Sequence, residues 1–316
     1  MSERNSQTRL NVIDTLSAGF SRTNRRLGIV AIPVAVDLFL WLGPKVVPGP
    51  SVTQLLEHSL PPQYVASTAG LQQLVAGFNL FSVLVLYIPS LIVRLGSIGP
   101  LASAAPVAAV NSAGMFALAA VGAGLLGLWL GCLYMGLVAQ VIRDGRTNLA
   151  ALALAVWRYW RRMVLFLLLV AAVLGASAIP LGLVYTVLAS LNPAAGEFLA
   201  LLVEIALVWA LIYLYFAVQA VILSDVGPVR GIRCSVLVIS HNFWASLLFM
   251  ALSFLITIGL PIIWQLLAGS PPGLVIGIVG NAYIGTGVVA AGFLFFQDRL
   301  DRVQQVTRVQ TAKEIE

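Results

Sequence analysis

The sequence predicts an all-α, polytopic integral membrane bundle with six transmembrane helices, three interfacial amphipathic elbow helices and a re-entrant segment. Of its 316 residues, 60% are hydrophobic and 9% are charged, whereas about a quarter of the residues of a soluble domain carry charge. Six apolar runs reach the roughly 20 residues that a helix needs to cross a bilayer. Short amphipathic patterns precede three of these runs.

The six apolar runs define the predicted spans. They cover residues 27–46, 115–142, 163–188, 198–223, 243–267 and 274–296. With six spans and a cytoplasmic N-terminus, 16 of the 18 Lys and Arg residues lie inside, as the positive-inside rule requires. A seventh run, 79–93, is shorter and contains Pro89, and counting it as a span would place the arginines at 143–162 outside. Residues 79–93 are therefore predicted to be re-entrant or interfacial.

A short amphipathic helix precedes the first, third and fifth predicted spans. The three apolar stripes consist of Ile13, Leu16 and Phe20, then Leu149, Leu152 and Val156, then Val229, Ile232, Val236 and Ile239. A polar or aromatic hinge follows each stripe, near Asn24, Trp160 and Asn242. Since two spans follow each hinge, the chain is interpreted as a threefold internal repeat.

The repeat gives the predicted organisation of the chain. Three elbow-and-hairpin units cover residues 1–146, 147–226 and 227–297, and a charged cytoplasmic tail covers 298–316. The first unit contains an extracytoplasmic insertion at 47–114, with helical patterns at 52–60 and 64–78 separated by Pro61 and Pro62. The insertion is therefore expected to have its own structure, and a loop this long with its own structure is more often functional than a passive connector.

The combination of elbow helix, Asn- or Trp-bearing hinge and paired spans resembles a known type of membrane domain. It is similar to the six-span domain fused to some bacterial glycerophosphodiester phosphodiesterases and to related membrane proteins of unassigned function. Residues 147–175 and 228–260 carry the resemblance. The insertion departs from that pattern, and no segment corresponds to the catalytic barrel of those enzymes. The resemblance therefore implies the membrane fold without the phosphodiesterase activity.

Two acidic residues fall inside predicted spans, where ionisable groups often have a function. Asp37 lies about ten residues into the first span, and Glu204 lies about two turns into the fourth. One hypothesis is a proton or cation relay or a contact with a polar substrate. The other is that each side chain is protonated or hydrogen-bonds to a neighbouring span and only stabilises packing. The candidate partners for that second role are Gln219, Gln265, Asn281 and Tyr185.

A cluster of rings and guanidinium groups, "WRYWRR" at 157–162, lies immediately before the third span. Such side chains place their polar ends at the headgroups of a bilayer and their apolar parts deeper. The predicted headgroup anchors are Trp157, Arg158, Trp160, Arg161, Arg162 and Trp244. In the second span, Gly127, Gly131 and Gly136 predict close helix packing.

Composition and motifs also bear on function. The net charge of +6 does not indicate nucleic acid, because the bases cluster beside apolar runs, and anionic lipid headgroups are the expected partners. The sequence shows no catalytic, metal-binding or cofactor-binding motif, so we expect neither an enzyme nor a cofactor. The expected location is the bacterial cytoplasmic membrane, with both termini cytoplasmic.

The sequence leaves three functional hypotheses. The first is a non-enzymatic accessory or lipid-organising subunit, supported by the interfacial Arg and Trp residues. The second is a transporter or permease component that uses Asp37 and Glu204. The third is a structural subunit of a larger membrane complex, with protein partners of its own.

Overall fold

The computed structural model describes residues 11–59, 78–96 and 106–315. The helical pattern predicted at 64–78, except for its last residue, lies outside these residues, as do Pro61 and Pro62. Within them, five helices are long and apolar enough to cross a membrane. The predicted all-α helical membrane bundle is confirmed in this coarse form.

The described elements are mainly helices. In chain order they are α1 (Val12–Asn24), a 3₁₀ helix (Leu27–Val30), α2 (Ala31–Leu42), β1 (Lys45–Pro48), α3 (Pro50–Ser59), a second 3₁₀ helix (Leu80–Val85), α4 (Ile92–Leu95), β2 (Val107–Val110), α5 (Ala113–Asp144), α6 (Leu149–Leu191), α7 (Pro193–Leu214), α8 (Ala217–Leu223), α9 (Pro228–His241), α10 (Phe243–Leu267) and α11 (Pro271–Ile315). The five long apolar segments are α5, α6, α7 with α8, α10, and α11 as far as Gln305.

The first predicted span is shorter in the structure than in the sequence analysis. Its helical part, Leu27–Leu42, ends where the chain turns through Gly43 into strand β1. At about 1.5 Å per residue, this helix reaches about 24 Å, which is less than the roughly 30 Å of a hydrocarbon core. The described chain thus has five long apolar helices and one shorter one.

The predicted hinge at Trp160 does not break the helix. Helix α6 runs without interruption from Leu149 to Leu191, and Pro180 lies inside it. No Gly or Pro occurs near Trp160, and Trp and Arg are tolerated in helices. Helix ends are found at the other two predicted hinges, after Asn24 and at Asn242.

The fourth predicted span is divided at Tyr215 and Phe216 into α7 and α8. The Ser235 hydroxyl of α9 accepts a hydrogen bond from the Phe216 N–H at 3.1 Å and donates one to the Tyr213 carbonyl at 2.7 Å. Backbone groups released by a helix break need such partners in an apolar environment. One serine on a neighbouring helix therefore stabilises this break.

A strand pair that the sequence analysis did not predict closes the base of the insertion. Strands β1 and β2 pair in parallel, with Lys45 opposite Val107 and Pro48 opposite Val110. Neither strand sequence, "KVVP" or "VAAV", alternates apolar and polar residues, so the pattern that indicates a half-buried strand is missing. The two ends of the insertion are thereby joined.

The described residues form two compact units. The first contains the described parts of residues 1–15, 157–251 and 292–316, and the second contains residues 16–156 and 252–291 as far as they are described. The core of the first unit is a group of buried phenylalanine rings. Phe295 stacks on Phe216 and Phe249, with ring centroids 5.4 and 4.8 Å apart.

In the second unit, residues 80–89 pack against small residues of two long helices. A Cβ atom added to Gly127 of α5 would lie 2.5 Å from the Val83 carbonyl oxygen, and one added to Gly131 would clash with the Leu86 carbonyl oxygen. Gly285 of α11 lies directly against the Pro89 ring. Gly127 and Gly131, for which close helix packing was predicted, thus contact this irregular segment, while Gly136 is buried in α5.

Replacing Gly127 by Ala should destabilise the protein by about 1–3 kcal/mol, because the backbone of residues 83 and 84 cannot move away as a side chain can. Gly122 of the same helix is the matched control, since nothing lies within 4 Å of its added Cβ. Gly122→Ala should be neutral or stabilise by up to about 1 kcal/mol through helix propensity. The measurement is the unfolding midpoint in a titration of the detergent-solubilised protein. Equal midpoints for the two variants would contradict the packing described.

Candidate functional site

The carboxyl group of Asp37 is the most deeply buried acid in the described part of the chain. Asp37 lies near the middle of α2 and has no exposed surface. A carboxyl group removed from water is stable only if protein groups replace its lost hydrogen bonds. Its immediate contacts therefore decide between the two hypotheses for this residue.

Three donors from one short segment reach the Asp37 carboxyl group. The Ser90 hydroxyl donates to Oδ1. The Leu91 N–H donates to Oδ2 at 2.8 Å, and the Ile92 N–H lies 3.4 Å from Oδ1. Helix α4 begins at Ile92, so Asp37 binds N–H groups that a helix start leaves without intrahelical partners. Asp37 acts as the N-terminal cap of α4 from another helix.

Ser90 completes this cap. Besides donating to Asp37, its hydroxyl oxygen accepts a hydrogen bond from the Val93 N–H at 3.2 Å. Ser90 is 3% exposed, so both contacts are protected from water. Ser90 was not among the partners predicted for Asp37. A serine directly before an apolar stretch is a common helix start, and "PSLIV" at 89–93 contained that signal.

The capped turn lies in an apolar environment. Leu91 and Leu95 pack against Ala268, Leu274 and Ile278, and these five side chains are 9% exposed or less. The partly buried residues around them are Val34, Leu38, Trp41, Ile92 and Trp264. This cluster shields the Asp37 contacts, and unpaired polar groups would be costly there.

The other end of the irregular segment is held by Asn79. Its side-chain oxygen accepts hydrogen bonds from the Val46 N–H in β1 and from the Phe81 N–H, each at 3.2 Å. It therefore caps the second 3₁₀ helix and joins it to the strand pair. Between these two anchors, Tyr87 has a positive φ of 64°, which is unusual for a bulky residue. Residues 86 and 87 form a turn there.

Glu204 is in a different environment from Asp37. It lies on α7 in the first unit, and its side chain is exposed. Of the four partners considered for the acids, Gln265 and Tyr185 are exposed, while Asn281 is 7% exposed. The Gln219 side-chain oxygen is buried without a hydrogen-bond partner among the described residues. None of the four provides the Asp37 contacts, because Ser90 and the backbone do.

The arginine and tryptophan cluster forms part of the surface of the first unit. The Trp157 and Trp160 rings stack with centroids 4.7 Å apart, and Trp157 is 53% exposed. Arg158 and Arg161 are also exposed, whereas Tyr159 between them is buried. The indole of Trp244, at the start of α10, is 78% exposed.

An aspartate that the sequence analysis did not single out pairs with two of the predicted anchors. Asp225 forms salt bridges with Arg162 and with Arg158, the latter at 3.6 Å. It lies between α8 and α9 with a positive φ of 51°, a conformation that Asp tolerates better than most residues. Two of the arginines predicted to bind headgroups thus share a protein carboxylate.

The described side chains and the comparisons add two findings. In the described part of the chain, no group of three or more His, Cys, Asp or Glu side chains could hold a metal ion. No protein-family model, curated protein or solved structure matches this chain. The resemblance to the membrane domain of the phosphodiesterases therefore stays a prediction.

Asp37→Ala should lower the free energy of unfolding by about 2–4 kcal/mol, because it leaves the Leu91 N–H and the Ser90 hydroxyl buried without their acceptor. Asp14→Ala is the control, since among the described residues Asp14 accepts a single, exposed hydrogen bond, from the Asn11 N–H. The measurement is again the unfolding midpoint in detergent. A midpoint for Asp37→Ala equal to that of Asp14→Ala would contradict the capping role.

Proposed function

We propose that this chain is a non-enzymatic accessory protein of the bacterial cytoplasmic membrane that binds anionic lipid headgroups at its cytoplasmic surface. The observation that carries the proposal is the exposure of the cationic and aromatic cluster at residues 157–161. Trp157, Arg158 and Arg161 remain exposed even though Asp225 contacts Arg158. Rings and guanidinium groups so placed match the interfacial region of a bilayer.

The proposed topology has six crossings with both termini in the cytoplasm. It counts the five long apolar helices and the shorter Leu27–Leu42. A crossing shorter than the hydrocarbon core is accommodated by local thinning of the bilayer or by flanking basic residues that reach outward. Arg25 and Arg26, directly before this helix, are suited to the second role. Helices α1 and α9 would lie at the cytoplasmic surface as elbows.

The contacts of Asp37 make the transporter hypothesis the weaker alternative. A carboxyl group that relays protons must exchange them with water or with a substrate. The Asp37 oxygens are occupied by Ser90 and by two backbone N–H groups, and the residue has no exposed surface. Such an acid supports packing better than exchange.

The lipid proposal is tested by titrating the detergent-solubilised protein with fluorescent phosphatidylglycerol. Each headgroup-binding arginine contributes about 1 kcal/mol near a membrane surface, so Arg161→Gln should weaken binding about fivefold. Asp225→Asn should strengthen binding, because it releases Arg158 and Arg162 from their salt bridges.

Arg94→Gln is the control for that titration. Arg94 is an exposed arginine in the predicted extracytoplasmic insertion, and its replacement should leave phosphatidylglycerol binding unchanged. Equal affinities for the wild type and the Arg161 and Asp225 variants would contradict the proposal. So would an equal loss of phosphatidylcholine binding in the Arg161 variant.

The alternative is tested by proton flux. Protein reconstituted in liposomes that contain a proton-sensitive dye should give no flux above that of protein-free liposomes, with or without an imposed potential. Asp37→Asn should change nothing in this assay, because we assign Asp37 a structural role. Flux in the wild type that Asp37→Asn abolishes would replace the accessory proposal with the transporter.

A further inference from the structure

Helices α6 and α7 leave a large apolar surface of the first unit uncovered by the described residues. In the most apolar 18-residue stretch of α6, 6% of the residues are buried. The corresponding share is 11% in Pro193–Leu223 and 50% in α11. The exposed side chains on α7 include Phe198, Leu201, Ile205, Val208 and Leu211. A surface of this composition is covered either by lipid or by another protein.

Glu204 interrupts this surface at its centre. It follows the first residue of α7, Pro193, by eleven positions in a helix of 22 residues, which places it about 16 Å along the axis. Its neighbours one turn away are Leu201 and Val208, which are 51% and 56% exposed. A helix of this length spans about 33 Å, so Glu204 would lie near the midplane of a bilayer that α7 crosses.

A carboxyl group on a lipid-facing surface at that depth would have no hydrogen-bond partner. Acidic residues in membrane helices therefore face a protein interior, a water-filled cavity or a complementary group as a rule. Asp37 obeys this rule through Ser90 and the backbone. Glu204 is exposed on its helix, so its complementary group must come from outside the first unit or from water.

Charge complementarity identifies the class of that partner. Residues 163–229 contain no Lys, Arg or His. A second copy that docked through the same surface would thus bring another Glu204 and no base. A different membrane protein whose transmembrane helix carries a Lys or Arg would supply the missing charge, and such intramembrane pairs satisfy both groups.

The neighbouring helix leaves room for such a partner. On α6, an added Cβ atom at Gly175 or Gly182 would have nothing within 4 Å. Small residues allow another helix to approach the backbone closely in a membrane. A partner helix that approaches α6 closely needs a shorter side chain to reach Glu204.

We propose that the exposed face of α7 around Glu204 binds a transmembrane helix of a different protein through a Lys or Arg at the depth of Glu204. The inference rests on the proposed role as an accessory membrane protein and specifies the chemistry of its partner. Leu201, Ile205 and Val208 supply apolar contacts around the ion pair.

The test uses a poly-leucine transmembrane peptide with one central Lys and a control peptide with Leu at that position. The full-length protein, labelled at Ser190→Cys in a Cys234→Ser background, is reconstituted with each peptide in phosphatidylcholine vesicles. Binding is measured as energy transfer from the protein to a labelled peptide. We expect the Lys peptide to bind about tenfold more tightly than the Leu peptide, as a polar contact of 1–2 kcal/mol in a membrane would give.

Two variants make the result specific. Glu204→Gln should reduce binding of the Lys peptide to that of the Leu peptide. Glu197→Gln, which removes an exposed carboxylate nearer the start of the same helix, should leave binding unchanged. Both changes conserve side-chain size on an exposed surface, so the fold is retained.

Three outcomes would overturn the inference: equal binding of the two peptides, undiminished binding to Glu204→Gln, or Glu204-dependent transfer between two copies of the protein. The last would identify a second copy as the occupant. Phosphatidylcholine carries no net charge, so this assay does not depend on anionic lipid. If the Lys peptide fails to bind while Arg161→Gln still weakens phosphatidylglycerol binding, the docking surface alone is refuted. If the Lys peptide binds as expected while Arg161→Gln leaves phosphatidylglycerol binding unchanged, the lipid proposal alone is refuted.

Discussion

Inside a hydrocarbon layer, every backbone N–H and C=O group needs a hydrogen-bond partner, and this constraint determines the organisation of both units. Helices meet this need internally, whereas irregular segments must obtain partners from elsewhere in the protein. In the second unit, Asp37 and Asn79 supply those partners at opposite ends of residues 79–92. In the first unit, Ser235 supplies them at the break between α7 and α8. At the Asp37 and Ser235 contacts, a polar side chain on another helix binds the irregular backbone, whereas Asn79 caps the segment to which it belongs.

The same constraint explains why the glycines of α5 occur where they do. Residues 79–92, which Asn79 and Asp37 bind at opposite ends, do not form one regular helix. The carbonyl groups of this segment therefore project irregularly toward its neighbours. Gly127 and Gly131 bring the surface of α5 down to its backbone at the points where the carbonyls of Val83 and Leu86 project. Polar side chains bind the ends of the segment, and the two glycines, which have no side chain, make space for its middle. Both features keep irregular backbone inside the protein, where it is tolerated at membrane depth.

Much of the helical framework could be predicted from the sequence, because long apolar runs have few alternatives to helical structure. The bounds of α10, for example, coincide with the predicted span at 243–267. The internal break at Tyr215 was not predicted, since it has no local Gly or Pro and depends on Ser235 twenty positions later. The continuity of α6 through Trp160 was also missed, because a headgroup anchor and a helix break share the same aromatic and basic residues.

The candidate site was only partly predictable. The depth of Asp37 in an apolar run marked it as unusual, and its structural role was one of the two hypotheses. Its partner, Ser90, lies 53 positions away, and such a distant pairing leaves no trace in local patterns. The salt bridges of Asp225 escaped notice for the same reason. Glu204 differs, since its exposure depends on how the helices of the first unit pack, which hydropathy alone does not specify.

The parallel direction of the two short strands limits how the insertion can be shortened. Antiparallel strands would bring the exit and the return of the chain side by side, and a tight turn could then replace everything between them. Here Pro48 lies beside Val110 and Val107 lies beside Lys45, so the two ends to be joined are offset by three residues, or about 10 Å at 3.3 Å per residue. A truncated version that keeps both strands therefore requires a crossover of several residues. The topology itself sets a minimum size for this part of the molecule.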